Sequence, residues 1–186
     1  MADGTTPELS REDLKGLVRT VPDFPSAGIQ FRDITTLLAH GDGLAACVDH
    51  MVAMAMQADA TKVAGIEARG FIFGAAISAR LGLGFVPIRK AGKLPVECLI
   101  EDYALEYGEA QVELDPTIIA QGDRVLLVDD LLATGGTALA AARLLRRAGA
   151  QVDHAHFVID LPELGGSEAL RADGIAAHSL FAFAGH

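Results

Sequence analysis

The sequence lacks the features that mark membrane, secreted and disulfide-stabilised proteins. No stretch of it reaches the roughly 18 uninterrupted apolar residues that a membrane-spanning helix needs. Residues 1–11 are polar and acidic, without the apolar core of a signal peptide. The two cysteines, Cys47 and Cys98, are far apart and form no CxxC pair. We therefore expect a cytoplasmic protein with no membrane partner, whose cysteines are buried or incidental thiols.

Positive charge is also scarce. The chain has 15 Lys and Arg residues against 25 Asp and Glu residues, which gives a formal net charge of −10. Binding to a nucleic-acid backbone relies on clustered Lys and Arg, so we expect no nucleic-acid partner. A small anionic ligand is not excluded, because it responds to the charges of its own pocket.

What the sequence does contain is an alternation of strands and helices. A length of 186 residues suits one domain with a substantial core. Buried apolar strands that alternate with helices indicate a parallel sheet covered on both faces. We predict an α/β fold, a central parallel twisted sheet flanked by helices, with residues 1–186 forming a single domain. The predicted strands cover residues 62–67, 84–89, 124–128 and 152–159, and the predicted helices cover residues 70–81 and 137–148.

Two further helices and one irregular segment complete this prediction. Ser10, followed by Asp13, predicts a helix start, and Asp42 is placed to cap a helix that runs to about Gln57. Residues 90–115 interrupt the alternation with mixed charge and several turn-forming residues. Alternating apolar positions within that segment are typical of strands. We therefore predict an antiparallel flexible flap over the sheet.

The strongest functional signal lies at residues 125–137, with the sequence VLLVDDLLATGGT. A buried strand ends in Asp129 and Asp130, and a short loop with two glycines opens a helix. Amides at a helix N-terminus can hold a phosphate, and glycines allow its close approach. The carboxylates would repel that phosphate, so we expect them to bind sugar hydroxyls or to lie near a divalent cation. The combination fits a phosphoribosyl group bound beyond the carboxyl end of a strand.

Parts of this segment also occur in proteins that bind no phosphoribosyl group. A Thr-Gly-Gly-Thr sequence alone is usually a turn with a helix cap. A strand that ends in Asp-Asp also occurs as the magnesium strand of an ATPase, which requires a GxxxxGK[ST] loop. The Gly92–Lys93 pair is followed by Leu94 and lacks the upstream glycine, and no GxGxxG segment follows a strand. The complete run therefore favours the phosphoribosyl interpretation.

The run resembles the phosphate-binding motif of the type I phosphoribosyltransferase family, which has the same hydrophobic, acidic, TGGT form. Further segments are similar to the members of that family that use adenine. Ala27 stands where those members often have proline, and Gln30 stands where an aliphatic residue is common. The similar segments are FPSAGIQFRDIT at 24–35, GIEARGFIFG at 65–74, IRKAGKLP at 88–95 and LEYG at 105–108.

The resemblance implies a homodimeric enzyme that transfers the phosphoribosyl group of phosphoribosyl pyrophosphate (PRPP) to adenine, giving AMP and pyrophosphate. Its cofactor would be Mg²⁺, held mainly by PRPP and near Asp129 and Asp130. The 5-phosphate would bind residues 133–137, and the pyrophosphate would face Arg69 and Lys93. The implied PRPP-binding residues are Arg69, Arg89, Lys90, Lys93, Tyr107, Asp129, Asp130, Ala133, Thr134, Gly135, Gly136 and Thr137.

The resemblance also implies a site for the base. Adenine would lie between Phe31 and Leu161, with backbone groups around Gln30 and Arg32 reading the purine edge. Glu106 in the flap would manage a proton on the imidazole ring of the purine. The implied catalytic residues are Glu106, Arg69 and Lys93.

Two alternative functions remain open beside this interpretation. The chain could use another purine or orotate, or it could be a regulator that senses PRPP without catalysis. A regulator would need a nucleic-acid-binding surface, which the acidic balance disfavours.

His154 and His156 share one side of a predicted strand, a spacing that suits a metal. The sequence indicates no third ligand, so we expect surface or packing histidines there.

Overall fold

The computed structural model describes residues 9–105 and 108–185. Its helices are Arg11–Gly16 (α1), Thr35–Leu38 (α2), Gly41–Ala55 (α3), Gly70–Leu81 (α4), Gly136–Arg147 (α5) and Gly166–Ala172 (α6). Its strands are Arg19–Pro22 (β1), Gln30–Asp33 (β2), Lys62–Ile66 (β3), Gly84–Lys90 (β4), Leu99–Leu105 (β5), Gly108–Leu114 (β6), Val125–Leu132 (β7), His154–Asp160 (β8) and Ala176–Ala182 (β9). Short 3₁₀ turns cover Pro116–Ile118 and Pro162–Leu164.

The main sheet has the strand order β5-β6-β4-β3-β7-β8-β9. Strands β4, β3, β7, β8 and β9 run parallel to one another. Gly65 of β3, for example, pairs with Pro87 of β4 and with Val128 of β7. Strands β3 and β7 lie in the middle of the sheet, which explains why their sequences are almost continuously apolar. The predicted α/β fold with a central parallel sheet is confirmed.

The segment predicted as a flap forms an antiparallel hairpin. Leu99 of β5 pairs with Leu114 of β6, and β6 also pairs antiparallel with the end of β4 at Arg89 and Lys90. The antiparallel character of this segment is therefore confirmed, whereas its flexibility stays a prediction. Glu106 and Tyr107 lie outside the described residues.

Helices cover both faces of the sheet. On one face, α5 and α6 bury Leu144, Leu145 and Leu170 against the strands. On the other, the N-terminal helices bury side chains that include Met51 of α3 and Phe73 of α4. Burying one such side chain contributes about 1.5–3 kcal/mol. Because the sheet has a hydrophobic core on each face, its strands are apolar and its helices have apolar faces, and this makes the alternation of strands and helices recognisable in the sequence.

The helix starts follow from local capping, with one correction. The Ser10 hydroxyl accepts the backbone N–H of Asp13 at 3.2 Å, and the Asp13 carboxylate accepts the N–H of Ser10 at 2.9 Å, as predicted. The prediction that Asp42 caps α3 is wrong. The helix begins at Gly41, two residues earlier than an Asp42 cap would place it, and Nδ1 of the N-cap residue His40 accepts the N–H of Gly43 at 3.0 Å. Asp42 lies in the first turn, where its charge favours the helix dipole.

Strand β7 is longer than predicted. The sequence places its end at Asp129 and Asp130, but Leu131 and Leu132 continue the strand. They do so because they pair with Ile159 and Asp160 of β8. The loop to α5 is therefore only three residues long, from residue 133 to residue 135.

The C-terminal segment, for which the sequence provides no motif, completes the sheet. Strand β9 pairs with β8 at one edge, and beyond it the N–H of Phe183 donates to the Asp160 carbonyl at 3.0 Å.

A separate two-stranded sheet joins β1 to β2, with Val21 opposite Phe31. No helix in the described part of the chain is long and apolar enough to cross a membrane.

Both cysteines are free thiols, as expected. Cys47 is wholly buried in α3, and this burial raises the pKa of its thiol to about 12. Cys98 is half-buried in the segment before β5. A thiol with a raised pKa is a poor nucleophile at neutral pH.

Two strand glycines differ sharply in the space around them, and neither has a left-handed φ. A Cβ on Gly65 would lie 2.8 Å from the Gly70 carbonyl oxygen and 2.8 Å from the Phe85 ring, whereas a Cβ on Gly84 would meet nothing closer than 3.7 Å. We expect Gly65→Ala to lower the free energy of unfolding by about 1–3 kcal/mol through overpacking. Gly84→Ala should change it by less than about 0.5 kcal/mol. Urea unfolding followed by circular dichroism measures both, and equal losses would contradict overpacking at Gly65.

Candidate active site

An open cleft with a volume of about 190 Å³ lies at the carboxyl end of β7. Arg69, residues 129–138 and Phe157 line it. The position is the one expected for a ligand of an open α/β sheet. The cleft gathers a glycine-rich loop, a helix N-terminus, two carboxylates and a guanidinium in one place.

Residues 133–135 and the first two residues of α5, together called the loop at residues 133–137, are shaped by two glycines. Gly135 has a φ of +84°, which favours glycine, and it lies directly before the first turn of α5. A Cβ on Gly166, the first residue of α6, would overlap the Ala133 carbonyl oxygen and lie 2.8 Å from the Leu132 side chain. The loop and α6 therefore pack against each other with room for no side chain at Gly166. The resulting turn leaves Thr134 exposed at the cleft.

The two carboxylates at the end of β7 have different surroundings. Asp130 is 4% exposed and accepts a hydrogen bond from Nε of Arg69 at 2.5 Å. Oδ1 of Asp129 accepts the N–H of Asp130 at 2.9 Å. Burial, followed by the neighbouring charge of Asp130, raises the pKa of Asp129 well above its usual range. A bound cation or hydroxyl donor would relieve this unfavourable charge, because Asp129 also lines the cleft.

Arg69 links the other predicted segments to this cleft. Its partial burial alone would lower its pKa, but the charges of Asp130, Asp129 and Asp33 outweigh that effect and raise it. Asp33 belongs to β2, the strand that also contains Phe31. The positive charge of Arg69 therefore interacts with carboxylates of both the predicted PRPP-binding segment and the predicted base-binding segment.

Glu67 organises a second group of basic residues. Its carboxylate accepts hydrogen bonds from Nε of Arg89 and from the backbone N–H of Lys90, each at 2.9 Å. These bonds, in the order Lys90 and then Arg89, lower the pKa of Glu67, and the charge of Lys93 contributes as well. Arg89 and Lys90, two of the predicted PRPP-binding residues, are thus held by a carboxylate to which the sequence analysis assigned no role.

Glu113 organises the turn that contains Lys93. It is 2% exposed, and its carboxylate accepts the backbone N–H groups of Gly92 at 2.9 Å, Lys93 at 2.6 Å and Leu94 at 2.6 Å. Burial alone would raise the pKa of Glu113, but these hydrogen bonds lower it. These three hydrogen bonds to one buried carboxylate fix the backbone of the turn. The exposed side chain of Lys93 therefore extends from a backbone whose position is fixed.

The predicted base segment lies on β2. Phe31 is half-buried, and the ring of Phe24 meets it edge to face at 5.2 Å between centroids. Arg32 points its guanidinium toward the end of the chain, where it donates to the Ala184 carbonyl at 2.8 Å and stacks on Phe183 at 4.7 Å. Leu161 is buried, and its N–H donates to the Leu132 carbonyl at 3.0 Å, next to the loop at residues 133–137.

Comparison with known proteins assigns the family. Residues 33–168 match the phosphoribosyl transferase domain. An adenine phosphoribosyltransferase from Novosphingobium aromaticivorans is 65% identical over 178 residues, which cover 96% of this chain and 100% of that protein. The chain belongs to the adenine phosphoribosyltransferase family.

Solved structures of the family agree with this fold. The adenine phosphoribosyltransferase of Thermoanaerobacter pseudethanolicus has a TM-score of 0.89 at 41% identity, covering 94% of this chain and 100% of its own. The Saccharomyces cerevisiae enzyme has a TM-score of 0.85 at 35% identity, covering 92% of this chain and 98% of its own. The yeast structure contains adenine and an imino-altritol bisphosphate.

Sequence reasoning found most cleft residues of this phosphoribosyltransferase and missed their supports. It identified Arg69, Asp129, Asp130 and the loop at residues 133–137, which the structure brings together. It assigned no role to Glu67, which lies inside a family-like segment, or to Glu113 and Gly166, which lie in none. The sequence of β6, GEAQVEL, places Glu113 in an alternation of polar and apolar residues that is typical of a strand with one solvated face, so it gave no signal that Glu113 is buried.

Replacing Glu113 tests how the Lys93 turn is held. Glu113→Gln removes a charged acceptor of three amides, and we expect it to lower the free energy of unfolding by about 1.5–3 kcal/mol at pH 7. The folded-state pKa of Glu113 is lowered, so its contribution is present above the unfolded value of 4.5 and is lost as pH falls through the folded value. Chemical denaturation at pH 7 and at acidic pH measures the difference.

Asp102→Asn is the matched control, because Asp102 makes one exposed hydrogen bond to Gln111 on the same hairpin. It should change the free energy of unfolding by less than about 0.5 kcal/mol at every pH. A Glu113→Gln variant as stable as this control would contradict the assigned role of the carboxylate.

Proposed function

We propose that this protein transfers the phosphoribosyl group of PRPP to adenine, with AMP and pyrophosphate as products, in cytoplasmic purine salvage. The observation that carries the proposal is the cleft at the end of β7, where a phosphate-sized loop stands beside two carboxylates and Arg69. The 65% identical relative has the same named activity, and the yeast relative was solved with adenine. Both support adenine as the accepted base.

The 5-phosphate binds the loop formed by residues 133–137. Its backbone amides and the hydroxyls of Thr134 and Thr137 supply donors, and the 12-residue helix α5 begins there with its positive end toward the cleft. The left-handed backbone at Gly135 turns the chain so that successive amides face one ligand. Binding at this point fixes the ribose above the end of β7.

Asp129 and Asp130 bind the ribose hydroxyls and lie close to Mg²⁺. The residues that line the cleft include these two carboxylates, which fits a magnesium ion that enters with its substrate. Mg²⁺ commonly combines one or two carboxylates with substrate phosphates and water. When bound, it neutralises charge on the pyrophosphate. The raised pKa of Asp129 is consistent with a carboxylate placed to meet a cation or a hydroxyl donor.

Arg69 and Lys93 stabilise the departing pyrophosphate, with Arg89 and Lys90 beside them. Negative charge grows on this group as its bond to the anomeric carbon breaks, so fixed cations lower the barrier. Half of the Arg69 side chain remains exposed although it is paired with Asp130. Arg89 contributes charge from a position set by Glu67.

Adenine lies between Phe31 and Leu161. Gln30 and Arg32 alternate with Phe31 on β2, so their backbone groups face the same edge of the strand and can together read the purine. Arg32 contributes only its backbone, because its guanidinium is bound to the C-terminal tail. A glutamine at position 30, where family members commonly have an aliphatic residue, is then tolerated, since no side-chain contact with the base is needed there.

The flap completes the site. Glu106 exchanges a proton with the imidazole ring of adenine, and closure of the flap with Tyr107 excludes the water that would otherwise hydrolyse PRPP. The purine nitrogen then attacks in line with the departing pyrophosphate, while the loop and the two carboxylates hold the sugar. The functional unit is a homodimer, and the reaction needs no covalent nucleophile.

The base and the metal are tested together by a panel of substrates. The purified protein is incubated with PRPP, Mg²⁺ and adenine, hypoxanthine, guanine, xanthine or orotate, and nucleotide formation is followed. We expect AMP from adenine alone, loss of activity when Mg²⁺ is chelated, and recovery when it is returned. Nucleotide from another base would overturn the adenine assignment. PRPP binding without turnover of any base would support the regulator instead.

Replacing Lys93 tests the assignment of the pyrophosphate site. Lys93→Met keeps much of the aliphatic length but removes the cation, and we expect kcat/KM for PRPP to fall by about 10²–10³-fold. Arg80→Met is the control for loss of a positive charge, because Arg80 pairs with Asp49 on an exposed face of the protein. Initial-rate kinetics measure both variants. Equal kcat/KM values for Lys93→Met and the control would rule out this role.

A further inference from the structure

Three histidines come together on strands β8 and β9. His156 and His178 are register partners on these parallel strands, and His154 lies two residues before His156, on the same face. The ring centroids of His156 and His178 are 5.5 Å apart, and those of His154 and His178 are 6.2 Å apart. One ring nitrogen from each residue lies within 4.8 Å of the other two. The strand pairing therefore supplies the third ligand that the sequence alone did not reveal.

One of these rings has a nitrogen without a partner. His156 is 1% exposed, and its Nδ1 is buried with no hydrogen-bond partner among the described residues. Buried polar atoms are nearly always satisfied, and neutral imidazole is the form that binds metal ions.

We propose that His154, His156 and His178 form a Zn²⁺ site that joins the edge strand β9 to β8. A set of three imidazoles suits zinc and similar transition metals, whereas Mg²⁺ prefers oxygen ligands. Tetrahedral zinc with bonds of about 2.1 Å places its nitrogen ligands about 3.4 Å apart. The half-buried His154 and the exposed His178 can close the remaining distance by side-chain rotation. A water molecule takes the fourth position, on the open side at His178.

The site is separate from the catalytic cleft. His154 begins β8, whereas the cleft lies at the opposite end of the parallel strands, where Leu132 pairs with Asp160. His156 directly precedes Phe157, which lines the cleft, and successive strand residues point to opposite faces, so the three histidines lie on the other face of the sheet from Phe157. Zinc at the histidines therefore stabilises the sheet edge without touching the residues proposed to bind PRPP.

The test is a Zn²⁺ titration of untagged, chelator-treated protein in excess Mg²⁺, followed by calorimetry and thermal unfolding. We expect one Zn²⁺ per chain and a Tm that rises by about 5 °C or more at a hundredfold excess over Kd. Co²⁺ in place of Zn²⁺ should give the visible absorption of a tetrahedral site. Failure to bind Zn²⁺ at micromolar concentration would overturn the proposal.

Variants locate the binding. His178→Ala removes an exposed ligand, so it should fold normally, weaken Zn²⁺ binding by more than about tenfold and reduce the rise in Tm at the same Zn²⁺ concentration by about half or more. His50→Ala is the control, because His50 contacts the Leu9 carbonyl far from the cluster in sequence and lies outside it. Both variants should make AMP at the rate of the unmodified protein. Unchanged Zn²⁺ affinity in His178→Ala, or equal loss in His50→Ala, would place the metal elsewhere and reject the site.

Discussion

The carboxylate of Asp130 is almost closed to water, and its charge requires the guanidinium of Arg69. An isolated buried charge costs several kcal/mol, so the ion pair constrains both residues strongly. Asp130 is part of β7, while Arg69 directly precedes α4. The pair therefore fixes the start of α4 against the end of the central strand, and Gly70 permits the close approach, because a Cβ there would lie 2.8 Å from the Asp129 carboxylate. Arg69 remains half exposed and still faces the cleft.

The same principle applies to the other basic residues that the sequence predicts to bind PRPP. Glu67 holds Arg89 and the backbone of Lys90, and Glu113 holds the turn around Lys93. The hydrogen-bonding capacity of each carboxylate is taken up by these N–H groups. These hydrogen bonds order the Arg89 side chain and the backbone of the turn before any ligand binds. The conformational entropy that these groups lose on binding an anionic ligand is therefore smaller. Net charge and local potential are thus set by different residues.

Much of the fold was predictable because its signals are local. The apolar runs of β3 and β7, the Ser10 cap of α1 and the glycine-rich loop after β7 are each contained in a few consecutive residues. The supports of the site were not predictable, since each depends on residues that are distant in sequence. Glu113 meets its amides about twenty residues away, and Gly166 is constrained by an oxygen at Ala133. The extension of β7 required knowledge of its pairing with β8.

Arg32 joins the beginning of the chain to its end. Its guanidinium reaches Thr20 on β1, but its other partners are the carbonyl of Ala184 and the ring of Phe183, about 150 residues later. Chains emerge from the ribosome N-terminus first. The strand proposed to recognise the base is therefore synthesised early, yet it lacks part of its anchorage until the last residues have emerged. During translation, the nascent protein can assemble its central strands well before β2 acquires its final support.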